Sequence, residues 1–220
     1  MDSNGVLFAE GKAPVPEGFV DLGLPSGTFW STKNIGATNG NTAESWYGNY
    51  YAWGEIETKD NYDWTTYKYA SNGSGYKLTK YCNNSSYGND GFTDDLTQLV
   101  PEDDVATQTN STWRMPTKED FEELIAGTTS SWVENYNDIE GLNGQVFTSK
   151  VNGNTLFIPA SGAHVGSDIK NIGSSCSLWT SSFYLSHPNS AYDLYFNNSG
   201  YIDASGYVNR CTGYSVRPIC

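Results

Sequence analysis

The chain has 220 residues and a formal charge of −13, from 25 Asp and Glu against 12 Lys and Arg. That balance argues against nucleic acid and anionic membrane surfaces as partners, because phosphate contacts need clustered cations, and no stretch approaches the roughly 18 apolar residues of a membrane span. Aromatic residues make up 15% of the chain, so it reads as a folded, loop-rich protein of one large domain or two small ones, not a disordered one.

Residues 1 to about 18 read as an extended arm, with Pro14 and Pro16 holding the lead-in out of helix. Neither a basic n-region nor an apolar h-region is visible there. The expectation is a chain made without that export route, as a virion protein is, or one from which a leader has been removed. Order begins at Phe19, where FVDLGLPSGTFW predicts a strand, a Pro-Ser-Gly turn and a second strand. Residues 46 to 69 are dense in Trp and Tyr. A base-stacking platform would use such rings but needs a basic groove, so a satellite core of irregular loops is expected. Residues 71 to 95 are Gly, Asn and Ser punctuation, a long loop.

Two helices follow. The first is predicted from Pro101 to about Thr107, with Glu102, Asp103 and Asp104 favourably placed at its N-terminus rather than as a calcium site. The second starts at Thr117 as N-cap with Asp120 three residues on, then places Phe121, Leu124 and Ile125 on one face and Glu119, Glu122 and Glu123 outside. Gly127 is its expected stop. Strands near Gln145–Val151 and Thr155–Pro159 meet at an Asn152-Gly153 turn, a hairpin signal.

From Ile158 onwards, short β-prone runs place Trp179, Leu194, Phe196, Val216 and Ile219 in the interior. Between them lie His164, Val165, Ser167, Asp168, Asn171, Ser175, Tyr184, His187, Tyr201, Asp203 and Tyr207, without apolar periodicity. Loops rich in Tyr, Ser and Asn on a rigid frame have the composition of a paratope; the alternative is ordinary polar surface. From Pro159 onwards there is no Glu, Gln or Met and one Lys, Lys170. Adenine-directed mutation of AAY codons yields Asn, Ser, Tyr, Asp, His, Thr, Gly and Val but none of those four residues, so the bias fits a diversified segment. Ser, Asn and Tyr are also plentiful around Tyr81 to Gly91. Cys82, Cys176, Cys211 and Cys220 form no C-x-x-C pair and neither His stands at metal-ligand spacing from them, which argues against zinc. One disulfide among the last three and four buried thiols remain alternatives.

The segments VDLGLPSGTFW, YYAWGE, WRMPTKEDFEEL, FIPASG, LWTSS and SVRPIC occur in the order seen in the formylglycine-generating-enzyme-like branch of the C-type lectin fold, which the chain resembles from about Phe19 to Cys220. Within that branch its C-terminal part resembles the variable proteins of diversity-generating retroelements, phage tropism determinants among them. The resemblance implies a single α+β domain over residues 19–220, with two helices packed on small antiparallel sheets and paired N- and C-terminal strands. It implies display of ligand-binding residues at about 160–216: His164, Val165, Asp168, Asn171, Ser175, Ser177, Leu178, Tyr184, His187, Asp193, Tyr195, Asn198, Tyr201, Asp203 and Tyr207. Trp179, Ser181, Ser182, Arg217 and Pro218 would be scaffold.

The function so implied is non-enzymatic recognition of a protein or glycan, on a cell surface or virion, with no cofactor and with the oligomeric state open. An invariant surface lectin is the first alternative. Calcium would need six to eight oxygen ligands, and no E-P-N or W-N-D tripeptide is present. A formylglycine-generating enzyme is the second, but its closely spaced thiolate pair is replaced by the well separated Cys211 and Cys220. No nucleophile is tied to His164 or His187 by a recognisable motif.

Overall fold

The computed structural model describes residues 14–220; the first 13 residues of the expected arm lie outside them, and residues 14–18 are exposed. The fold is α+β, built from small antiparallel sheets and short helices. Strand β1 (Phe19–Asp21) pairs antiparallel with β2 (Phe29–Ser31) across the predicted turn, where Gly27 takes a φ of 76°. The turn is tied to the rest of the protein by Ser26, whose N–H and hydroxyl donate to Glu123 at 2.8 and 2.6 Å. The free edge of β2 receives the C-terminal segment. Phe29 N–H donates to the Cys220 carbonyl (2.9 Å) and Ser31 N–H to the Pro218 carbonyl (2.9 Å), so the N- and C-terminal segments do pair.

A one-turn helix, α1 (Glu44–Tyr47), was not anticipated. The predicted helix at 101–107 is two pieces, a 3-10 turn at Pro101–Asp103 and then α2 (Val105–Thr109). Asp104 divides them. It is extended, and its carboxylate caps α2 by accepting from Ala106 and Thr107 N–H and also takes Met115 N–H at 2.9 Å. Asp103, expected to charge a helix end, instead turns inward, as described below. Helix α3 (Lys118–Gly127) forms as predicted: Thr117 accepts from the Asp120 N–H, and the Asp120 carboxylate takes the Thr117 N–H at 2.7 Å. Phe121 and Leu124 are fully buried. Gly127 has a different role from the left-handed stop expected of it. A Cβ there would stand 2.4 Å from Leu24 Cδ2, so the position is fixed by close packing against Leu24.

Strands β3 (Thr128–Val133), β4 (Gly144–Ser149) and β5 (Thr155–Pro159) form an antiparallel sheet, with β4 and β5 closing as a hairpin over Asn152-Gly153. A small ribbon, β6 (Ala163–Val165) with β7 (Asp168–Lys170), follows. The last sheet carries the rest of the fold: β8 (Ser175–Phe183) pairs β9 (Ser190–Asn197), which pairs β10 (Ile202–Asp203) and β11 (Tyr207–Asn209). All nine residues of β8 are buried.

Strand pleating sends successive side chains to opposite faces, and here that decides which residue meets which core. Even-numbered Cys176, Leu178, Leu194 and Phe196 enter one hydrophobic cluster with Leu22, Trp30, Phe121, Leu124, Phe147 and Ile219. Odd-numbered Trp179, Phe183 and Ala191 enter another with Tyr51, Trp53, Tyr62, Tyr67, Tyr69 and Tyr81. The part of the aromatic stretch from Tyr51 to Tyr69 is thus no satellite, because its rings belong to this main cluster, while Trp46 and Tyr47 do enter a smaller separate cluster with Leu142 and Phe157. The stretch clamps β8 directly, once through its backbone and once through a side chain: Trp179 Nε1 donates to the Tyr51 carbonyl and Trp53 Nε1 to the Thr180 carbonyl, both at 2.8 Å. No helix among the described residues is long and apolar enough to cross a membrane.

Candidate functional site

Where the odd-numbered face of β8 and β9 runs out past Trp179, it is left open and forms the floor of a pocket of about 360 Å³. Ser175 and Ser177 reach it from β8, Asp193 and Tyr195 from β9. Asn171, Tyr201, Asp203, Tyr207 and Tyr214 line it further, with Gly162, Ala163, Gly206 and Val208. Eight of the fifteen sequence-predicted positions therefore share one cavity. Ser175, Ser177 and Asp193 are buried there, so they belong to its floor and not to an exposed loop. A second cleft of about 400 Å³, beside Phe19, Lys33 and Trp113, contains none of the fifteen.

The two carboxylates converge. Asp203 stands opposite Tyr195 in the register of β9 and β10. A Cβ built on Gly206 would lie 3.4 Å from Asp193 Oδ1 and 3.8 Å from Asp203 Oδ2, so both groups bound the same small space and Gly206 leaves it open. Their surroundings push them apart in acidity. Burial, with the neighbouring Asp203 charge, raises Asp193 to about 7 despite the hydrogen bond from the Ser177 hydroxyl. Asp203 is held below its ordinary value by the Ser205 hydroxyl, which donates at 2.6 Å, and by the Tyr201 hydroxyl at 3.3 Å. Two neighbouring acids thus differ in charge near neutrality, the outer one ionised and the inner one titrating.

Beside the pocket, three rings form a stack. Tyr184 and Tyr207 are parallel, 3.8 Å apart at 5°, and the His187 ring is nearly parallel to both, 5.5 Å from Tyr184 and 5.9 Å from Tyr207. Tyr87 meets His187 edge-on at 6.4 Å and stacks on the exposed Tyr76. The long loop at 71–95 therefore extends this ridge, and neither it nor Tyr214 is among the predicted positions. The only cue in the sequence was that the loop repeats the Tyr, Ser and Asn usage of the C-terminal segment.

The remaining predicted positions disperse. His164 is half-buried and packs its ring against Tyr62 (4.5 Å) and Tyr50 (5.7 Å), while its backbone exchanges two hydrogen bonds with Gly213. Val165 and Asp168 are exposed on the β6–β7 ribbon, with Asp168 paired to Lys170 at 2.6 Å. Asn198 is exposed in the turn after β9. Leu178 requires correction: it is fully buried, because its even position turns it away from the pocket into the Phe121 and Leu194 cluster. Truncating Leu178 to Ala is expected to cost roughly 3 kcal/mol in a denaturation series, whereas Ser177→Ala, one residue away on the opposite face, should cost only about 1 kcal/mol of unfolding free energy. Trp179, Ser181, Ser182, Arg217 and Pro218 are all buried.

All four cysteines are free thiols, so the disulfide alternative is not realised. Burial raises the Cys176 thiol to about 11 and the Cys211 thiol to about 12, environments that keep them protonated rather than poised as thiolates. Among the described residues no group of three His, Cys, Asp or Glu is arranged to hold a metal ion. Comparison with family models, with curated proteins and with solved structures finds no match to this chain.

Proposed function

We propose that this protein is a non-enzymatic recognition protein with a C-type lectin-like fold. Its C-terminal face, on a cell surface or virion, binds a protein or glycan ligand and is of the kind diversified by a retroelement. The observation that carries this reading is the pocket and adjoining aromatic ridge, built from Tyr, Ser, Asn and Asp on the open face of a sheet whose other face is core. Large rings on a rigid support give contact area at low entropy cost. Exposed Tyr201 and Tyr207 and half-buried Tyr184 supply the anchors such a surface needs.

The test is a protein and glycan array probed with the full chain and with single alanine variants at Tyr184, Tyr201 and Tyr207. At least one of them is expected to weaken the ligand so found by about 2 kcal/mol, some thirtyfold in Kd. Retention of full affinity by all three variants would place the binding surface elsewhere.

A further inference from the structure

Resting on that reading of the C-terminal face, we propose that the pocket receives a primary alkylammonium group, supplied by a lysine side chain of a partner polypeptide. Asp193 is 2% exposed yet lines the cavity from β9, and among the described residues no ion pair reaches Asp193 or Asp203. A buried carboxylate with no cation beside it is costly unless something arrives to pair with it. The groups that face it are Asp203 from β10, the Ser177 hydroxyl from β8, and Tyr214. Cys176, on the far face of β8, stays protonated. Lys118 acts on Asp203 through its charge, and it is already engaged by Glu122.

The lining matches one cation better than others. Its floor presents acceptors, the two carboxylates and the Ser177 oxygen, and an ammonium brings three N–H donors to them. A quaternary ammonium brings none. A guanidinium needs a planar fork of acceptors, whereas the two carboxylates present one oxygen each to the single point beside Gly206. Tyrosine walls suit both the attraction of a cation to ring faces and the packing of its alkyl stem. The overall charge of −13 draws a cation in. Binding forms an ammonium–carboxylate pair and sends the Asp193 proton to solvent, so affinity should rise with pH until Asp193 is already ionised in the free protein.

The experiment is calorimetric titration of the full chain with a blocked Gly-Lys-Gly peptide, run at pH 6, 7 and 8 in two buffers of different ionisation enthalpy. Expected are binding, tightening by up to about tenfold per unit below pH 7, and release of up to one proton that diminishes by pH 8. Asp193→Asn should weaken binding at pH 8 by about tenfold or more and flatten the pH profile, and Asp203→Asn should weaken it in a protein whose fold is unaffected. Equal binding of the Nε-acetylated peptide, undiminished binding by Asp193→Asn, or no heat from the lysine peptide at all would overturn the proposal. Binding of glucosamine without the lysine peptide would overturn the polypeptide source. If these probes fail while an array ligand is still lost on Tyr207→Ala, the ammonium assignment falls and the recognition face stands; if neither happens, both fall.

Discussion

Asp103→Ala is expected to destabilise the protein by about 3–5 kcal/mol, lowering Tm by roughly 6–20 °C for a chain of this size. Asp103 follows Pro101 in the 3-10 turn and is only 3% exposed. Its carboxylate accepts from the Tyr81 hydroxyl at 2.7 Å, the Lys80 ammonium at 2.6 Å and the Tyr69 hydroxyl, with Lys68 at 3.3 Å. Lys68 is half exposed and adds little through solvent. The cost arises because two buried hydroxyls and a partly buried ammonium lose their acceptor together. Burial alone would raise the Asp103 pKa, but Lys80, Tyr69 and Tyr81 more than offset it, and the carboxyl sits below its ordinary value. Its contribution is therefore present above the unfolded value of about 3.9 and is lost as pH falls through the lower folded one. Thermal unfolding should show the gap between parent and variant wide at pH 7 and narrowing below about pH 4. A gap constant with pH would mean the effect is one of lost packing alone.

Asp193→Asn should have the opposite sign. The folded carboxyl titrates at about 7 against about 3.9 unfolded, so the folded state binds more protons across that window and stability falls as pH rises through it. By pH 8 the accumulated loss is on the order of 4 kcal/mol. Asn has the shape of the protonated acid and does not ionise. The variant should thus melt several degrees above the parent at pH 8 and together with it near pH 4. A variant no more stable at pH 8 would show that the carboxylate ionises in its pocket at no cost. Such a result would remove the electrostatic reason for the pocket to seek a cation. The pattern expected is a binding residue retained at the expense of stability.

Local signals were readable where one short segment contains its own cause. Thr117 and Asp120 satisfy each other's backbone, so the start of α3 was legible. Asn152-Gly153 set the β4–β5 hairpin, and the β-prone runs ending at Ile219 fell inside. Misreadings came where a distant partner decides. Asp103 looks like a helix-end charge until Tyr69 and Tyr81, more than twenty residues earlier, are brought to it. The Tyr and Trp residues at 51–69 look peripheral until β8 arrives beneath them. In SCSLWTSSF the strand is buried on both sides, so Ser and Leu alternate without an exposed face to give the parity away, and Leu178 read as a neighbour of Ser177 rather than its opposite. The site was legible as a composition of residues, and the pleat of β8 and β9 selects among them.

The pairing of β2 with the C-terminal segment has a consequence for how the chain reaches this structure. Ile219 bridges Trp30 on one side and Arg114 on the other, so the segment around it lies between elements made roughly 190 and 105 residues earlier. Those elements cannot complete their hydrogen bonds until residue 219 emerges, and until then Trp30 and Phe121 lack part of their apolar cover. Contacts of such sequence separation slow the search for the native state and lengthen exposure of sticky intermediates. The second half of the chain thus both lines the pocket and closes the fold, which makes late closure a kinetic constraint on any substitution upstream of it.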